Sequence, residues 1–171
     1  MVTIRPARAE ELEALRAIEL AAGRAFAAIG MPEVADDEPP PVPTLRAYVD
    51  RGRAWVAAEP VEDAAVGYVL VDLVDGAAHV EQVSVHPARA RERIGRRLLE
   101  HVASWAIDHG HVAMTLTTFR EVAWNAPYYR RCGFRDLADD ELGPQLRDVM
   151  AAEAAHGLDP ARRVAMVRAL V

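Results

Sequence analysis

Between Val80 and His109 a β-patterned run stops at a proline, and after a loop of small and basic residues a sharply amphipathic helix begins. The run AHVEQVSV carries apolar residues at Val80, Val83 and Val85, one residue off strict alternation, as a β-bulge would leave them. His86-Pro87 ends the run. Over residues 94–109, Ile94, Leu98, Val102, Trp105 and Ala106 form one apolar stripe, while Arg96, Arg97, Glu100 and Asp108 lie mostly elsewhere. Gly110 is a natural stop. A helix this one-sided must bury its stripe against another layer, and the strand that feeds it predicts a sheet.

The rest of the chain supplies that sheet. VTIRPA reads as a short strand closed by Pro6. Glu10 to Ile29 then carries Leu12, Leu15, Ile18, Leu20, Ala22 and Phe26 near helical spacing, with Gly30 at its end. Residues 31–43, MPEVADDEPPPVP, are rich in proline and acid and predict a functional or mobile loop with neither helix nor strand. Thr44 is placed to cap a short helix through Val49, stopped near Gly52. RAWVAAE and VGYVLVDLV, separated by PVEDAA, read as an antiparallel hairpin, and Asp75-Gly76 marks the next turn. HVAMTLTTF is a further strand, and Asn125 caps a short helix that has Pro127 in its first turn and Gly133 at its end. FRDL is a short strand, 143–157 a helix ended by Gly157, and RVAMVRAL the last strand. This order predicts an α/β or α+β layered sheet in a single domain spanning 1–171. It is not a dinucleotide-binding order, and no Gly-x-Gly-x-x-Gly follows the first strand.

Composition excludes several functions. A net charge of -6 gives nucleic acid no global attraction, and 6% aromatic residues argue against a base-stacking surface. The lone Cys132 rules out an intramolecular disulfide and fits a reducing compartment. The first twenty residues have charges spread through them, unlike a signal peptide, and no stretch approaches the roughly 20 apolar residues that span a bilayer. A soluble cytoplasmic protein, with neither nucleic acid nor membrane as partner, is the expectation.

The chemistry begins in the loop before the amphipathic helix. A helix N-terminus offers unpaired N–H groups and a partial positive charge, which together suit a phosphate. Arg89, Arg91, Arg93, Arg96 and Arg97 add real charge there, against the helix dipole, so their concentration asks for an anion. A plain basic, solvated loop is the alternative. The segment VEQVSVHPARARERIGRRLLEHV resembles the acetyl-CoA pyrophosphate loop of the GNAT N-acetyltransferase superfamily, whose motif Gln/Arg-x-x-Gly-x-Gly/Ala follows a strand ending in Val-x-Pro. Val85, His86 and Pro87 match the strand end and Gly95 matches the last motif position. Two positions depart from the pattern: Ala90 stands for Gln or Arg, and Arg93 for the central Gly. TLTTFREVAWNAPYYRRCGF resembles the second family segment through Asn125, Tyr129, Gly133 and Phe134.

The resemblance implies a mixed, mostly antiparallel sheet of six to seven strands, flanked by helices and splayed between its fourth and fifth strands. It also implies acetyl transfer from acetyl-CoA to a primary amine, by direct attack in a ternary complex. Cofactor contacts fall, by motif position, on Val83, Ser84, Val85, Arg91, Arg93, Ile94, Gly95, Arg96 and Asn125. Tyr129 becomes the acid for the leaving thiolate, with Tyr128 its rival. Glu81 becomes the base, with His79 and His86 as alternatives. Cys132, late in a short helix with no base identifiable beside it, reads as packing. No His, Cys, Asp and Glu cluster has metal-ligand spacing, so no metal is expected. The acceptor is a small-molecule or peptide amine of unassigned identity, and a homodimer is left open. The alternative activity is a non-catalytic acyl-CoA-binding module of the same fold, a reading that Arg93 in place of Gly keeps open.

Overall fold

The protein is described over residues 1–171 by a computed structural model. Seven β-patterned runs become strands: β1 (Thr3–Pro6), β2 (Ala54–Ala58), β3 (Ala65–Val74), β4 (Ala77–Val85), β5 (Ala113–Phe119), β6 (Arg135–Asp136) and β7 (Arg163–Ala169). The helices are α1 (Leu12–Gly23), α2 (Pro32–Ala35), α3 (Val42–Asp50), α4 (Ile94–Asp108), α5 (Ala126–Arg131) and α6 (Pro144–Ala155). The strands form a mixed sheet in the order β1-β2-β3-β4-β5-β7-β6, as the resemblance implied. The pairs β1–β2, β2–β3, β5–β7 and β6–β7 are antiparallel, and β4–β5 is parallel. That parallel ladder is short. It joins only Ala78 to Met114 and His79 to Thr115, although β4 runs on to Val85 and β5 to Phe119, so the expected splay is present. No helix is long and apolar enough to cross a membrane.

The chain divides into two compact units. The first comprises residues 1–71 and 82–101, the second 72–81 and 102–171. In the first, Leu12, Leu15 and Ile18 of α1 and Leu45 of α3 pack with Val56, Ala58, Tyr68 and Leu70 of the strands. Burying each of those aliphatic side chains is worth about 2 kcal/mol, enough to hold α1 in place. In the second, Val74, Leu146 and Ala165 are covered by Leu137, Leu142, Val149 and Met150. β3, β4 and α4 each contribute residues to both units.

Four local expectations need correction. The helix predicted over 10–29 is α-helical only from Leu12 to Gly23, with 3-10 turns before and after it. Past Ile18 the stripe has no large buried side chain, and Leu20 is exposed. The proline-rich segment contains one helical turn, α2, because Met31 and Ala35 are buried and Pro32 sits in the first turn, where it needs no donor. Thr44 caps nothing: α3 starts two residues earlier, with Pro41 at the N-cap and a second proline in its first turn. Proline's fixed φ supplies the start that a hydroxyl was expected to supply. Trp105 is not core. Its ring stacks on His109 at 4.5 Å and His111 at 5.8 Å, while Leu99 and Ala103 take the buried face.

Gly67, in the middle of β3, is where strand and helix come closest. A Cβ there would meet Ser84 O at 3.1 Å, Val85 Cγ2 at 3.3 Å and Ile94 Cγ2 at 3.3 Å. Backbone cannot yield as a flexible side chain does. Gly67→Ala is therefore expected to destabilise the fold by about 1–3 kcal/mol, read as a lower denaturant midpoint at unchanged m-value.

Candidate active site

The first unit holds the anion-binding candidates. β4 ends at Val85, and His86 N–H still bonds Val66 O at 2.8 Å. Pro87 then opens a short 3-10 turn, capped by His86 Nδ1 accepting from Ala88 N–H at 3.2 Å. Arg89 is spent on structure: its guanidinium makes two 2.7 Å bonds to Glu92 and also pairs with Glu59. It is therefore not a free cation, unlike the sequence-level reading of the cluster. Arg91 and Arg93 both adopt left-handed backbone, with φ of 68° and 60°. The central motif position, usually Gly, thus keeps glycine's conformation here although it carries an arginine. A left-handed residue followed by right-handed helix turns successive N–H groups inward as an anion-binding nest. α4 begins at Ile94, and the first N–H bonded back is Arg97 to Arg93 O at 3.1 Å. The N–H groups of Ile94, Gly95 and Arg96 belong to the unpaired first turn. Val83, Ser84, Val85 and Ile94 lie in this same unit, three of them converging on Gly67.

Ser84 is more than a strand residue. Its buried hydroxyl accepts from Gln82 Nε2 at 2.7 Å and acts to lower the pKa of Tyr68, whose hydroxyl donates to Glu19 in a short hydrogen bond. Burial pushes the Tyr68 phenol far above its ordinary range, with the Glu19 charge adding to the effect. Burial also raises the Glu19 carboxyl, while the bond from Tyr68 pulls it back. Sequence inspection missed this cluster. Only Gly67, a glycine inside a strand, signals the close approach around it.

The second unit holds the candidate acid and base. Glu81 follows the last β4–β5 pair by two residues and is 45% exposed, with one carboxylate oxygen 3.8 Å from His79 Nε2. His79 is buried, and its Nδ1 lies 2.9 Å from Thr115 Oγ1. Burial lowers its pKa, with Asp72 and Glu153 pulling the other way, so the imidazole stays neutral. A neutral, enclosed imidazole suits positioning better than proton uptake. Tyr129 is buried on α5, edge-on to Tyr128 at 5.5 Å and to Phe134 at 6.0 Å. Burial holds its phenol protonated well above the ordinary range, and Arg163 draws it partly back. The Arg163 guanidinium is fixed by Glu153 at 3.0 Å and by Thr117 at 3.3 Å.

Asn125 stands at the N-cap of α5, and its carbonyl accepts from Tyr129 N–H at 2.9 Å. Its side chain makes no capping bond, contrary to expectation. Nδ2 donates to Trp124 O at 3.1 Å, and Oδ1 is buried without a hydrogen-bond partner. A buried amide oxygen left without a donor is costly, and fits a site completed by a ligand N–H. Cys132 is buried, as packing requires, and no group of three or more metal-ligating side chains occurs.

The family profile described as "Acetyltransferase (GNAT) family" matches residues 14–134. Among solved structures, a GNAT-family acetyltransferase from Staphylococcus aureus Mu50 superposes with a TM-score of 0.73 at 16% identity, over 100% of both chains. N-acetylglutamate synthase from Neisseria gonorrhoeae, complexed with coenzyme A and N-acetyl-glutamate, gives 0.74 at 16% identity, covering 100% of this chain and 35% of that one. Rv2747 from Mycobacterium tuberculosis, in complex with CoA, gives 0.72 at 20% identity, covering 99% of each.

The orphaned Asn125 oxygen has a direct consequence for stability. Losing an N-cap side chain usually costs about 0.5–2 kcal/mol. Asn125→Ala removes no capping bond, only the Nδ2–Trp124 O bond and one unsatisfied acceptor, so its unfolding free energy is expected to stay within about 0.5 kcal/mol of the parent. A loss of ordinary cap size would show that the side chain caps the helix in solution.

Proposed function

The chain belongs to the GNAT acetyltransferase family, and from that footing we propose that it transfers an acetyl group from acetyl-CoA to a primary amine by direct attack in a ternary complex. Residues 1–171 act as one catalytic domain in this reading. Arg91, Arg93 and Arg96, with the N–H groups of Ile94 and Gly95, hold the pyrophosphate. The β4 backbone at Val83, Ser84 and Val85 offers donors and acceptors to the cofactor's amides and thioester oxygen. Asn125 Oδ1 receives an N–H from the cofactor. The reading rests most on the loop before α4, where left-handed Arg91 and Arg93 shape a nest at an unpaired helix start.

The amine nitrogen bonds to the acyl carbon, and the C–S bond breaks with its electron pair remaining on sulfur. Tyr129 supplies the proton that sulfur needs. Burial keeps its phenol protonated across the physiological range, as a donor must be, although the raised pKa makes it a weaker acid than an exposed tyrosine. Glu81 takes the proton that nitrogen loses, and its exposed carboxylate can return it to solvent. The acceptor is a small-molecule or peptide amine, a class to which the parent amino acid of the N-acetyl-glutamate in the Neisseria structure belongs. An amine panel with acetyl-CoA, followed by thiol release, tests the activity. Tight acetyl-CoA binding without release to any amine would leave only a binding module.

Glu81→Gln is expected to lower turnover at neutral pH by about 100-fold or more. Activity should recover in part as pH rises and the amine loses its own proton. An unchanged pH–rate profile would move the role elsewhere.

Tyr129→Phe deletes one donor and leaves the ring packed. Turnover and kcat/KM should fall together by roughly 100-fold, with acetyl-CoA affinity unchanged. Tyr128→Phe is the control, because adjacent side chains on a helix diverge by about 100°. Loss in Tyr128→Phe alone would transfer the acid role to that neighbour.

A further inference from the structure

In the second unit, a shallow pocket of about 100 Å³ lies where β5 ends and β7 begins, lined by Phe119, Arg120, Glu121, Val122, Ala161 and Arg162. Its walls are tied together by backbone: Arg120 N–H bonds Arg162 O at 2.7 Å, and Arg120 Nη2 donates to Arg163 O at 3.0 Å. Phe119 and Val122 are 7% exposed and supply apolar lining. The arginines are exposed, and neither has a carboxylate partner, although neighbouring acids are close in sequence. Two of those acids are committed, since Glu153 holds Arg163 and Asp159 caps the turn by accepting from Ala161 N–H at 3.0 Å, while Glu121, beside Arg120, lines the same cavity. A small cavity with an apolar lining and two guanidinium groups free of carboxylate partners, one of them held by a backbone carbonyl, is suited to a planar oxyanion.

Backbone bonds link the cavity wall to the segment that bears the candidate acid. Val122 O accepts from Asn125 N–H at 2.9 Å, and Asn125 O accepts from Tyr129 N–H at 2.9 Å. Phe119 pairs across the ladder with Arg163, whose charge acts on the Tyr129 phenol. Glu121 adds one carboxylate to the lining. Two cations and one anion are the complement of a molecule that carries both a carboxylate and an ammonium group.

Resting on the transfer reading above, we propose that this cavity is an acceptor subsite in which Arg120 and Arg162 bind a carboxylate, making the substrate class amino-carboxylates. Simple alkyl amines lack the group that the cavity recognises. The cofactor's phosphates are the other source of an oxyanion, and the test separates the two.

The full-length protein is titrated with 4-aminobutyrate and with n-butylamine, a pair of equal chain length, and backbone amide shifts are followed by NMR. Alanine and ethylamine serve as a second pair. The amino-carboxylates should shift the amides of Arg120, Glu121 and Ala161, and the alkyl amines should not. Arg120→Ala with Arg162→Ala should weaken amino-carboxylate binding roughly 10- to 100-fold, the usual size of lost charge-assisted bonds. Arg162→Gln tests the same point with little risk to folding, since that guanidinium holds no other element. Acetyl-CoA affinity should not change in either variant. Equal binding of both members of each pair would overturn the proposal, as would a fall in acetyl-CoA affinity, which would assign the arginines to the cofactor. Carboxylate-selective binding without thiol release from any amine would uphold the anion subsite and sink the transfer reading instead.

Discussion

The parallel contact between β4 and β5 lasts two residues, and much of the chemistry depends on its brevity. A strand inside a sheet normally has both edges paired, because buried backbone groups left unpaired cost about as much as lost hydrogen bonds. After His79, β4 keeps β3 on one side and has no ladder to β5 on the other. The last pair is secured by side chains as well, through His79 Nδ1 and Thr115 Oγ1. The histidine stays neutral there, so the junction carries no buried charge that would need a counter-ion.

An open strand edge is useful only if it is rigid. Within the first unit, Gln82 donates to the Ser84 hydroxyl, and the Tyr68 hydroxyl donates to the Glu19 carboxylate. Tyr68 is fully buried, and an unsatisfied hydroxyl there would cost about 1–3 kcal/mol. The Gln82–Ser84 bond ties those two side chains to each other at the end of β4. Gly67 completes the arrangement by letting β3 lie against Ser84, Val85 and Ile94 without a Cβ between them.

Much of this was legible in the sequence, where a single physical term dominated. α4, the strands and the stop at Pro87 follow from apolar periodicity and proline chemistry, both written in consecutive residues. What was illegible depended on partners distant in the chain. Nothing near Arg89 says that Glu59, thirty residues earlier, takes its charge. Nothing near Asn125 says that its oxygen will be buried without a donor. The N-cap rule identified the right residue and the wrong bond, because backbone angles of φ -112° and ψ -117° turn the side chain away from the helix. Glu19 and Tyr68 meet only once α1 has packed on β3, so their pairing has no local signature.

Charge accounting then decides which cations can act. The protein is acidic, with a net charge of -6, and all 20 of its basic residues are arginines. At physiological ionic strength fields decay over about 8 Å, so a polyanionic cofactor responds to nearby guanidinium groups rather than to the total. Several arginines are neutralised where they stand: Arg5 by Glu11 and Asp63, Arg130 by Asp136, Arg135 by Glu141, Arg163 by Glu153. Arg89 is taken by Glu92 and Glu59, which leaves Arg91, Arg93, Arg96 and Arg97 as the free cations around the start of α4. The left-handed backbone at Arg93 adds strain of order 1–2 kcal/mol for a non-glycine residue. A guanidinium beside a phosphate can return that much through a single charge-assisted bond, whereas in the unliganded protein the strain is uncompensated. Retaining arginine where glycine would relieve the backbone is therefore consistent with a loop whose lowest free energy is reached with an anion bound.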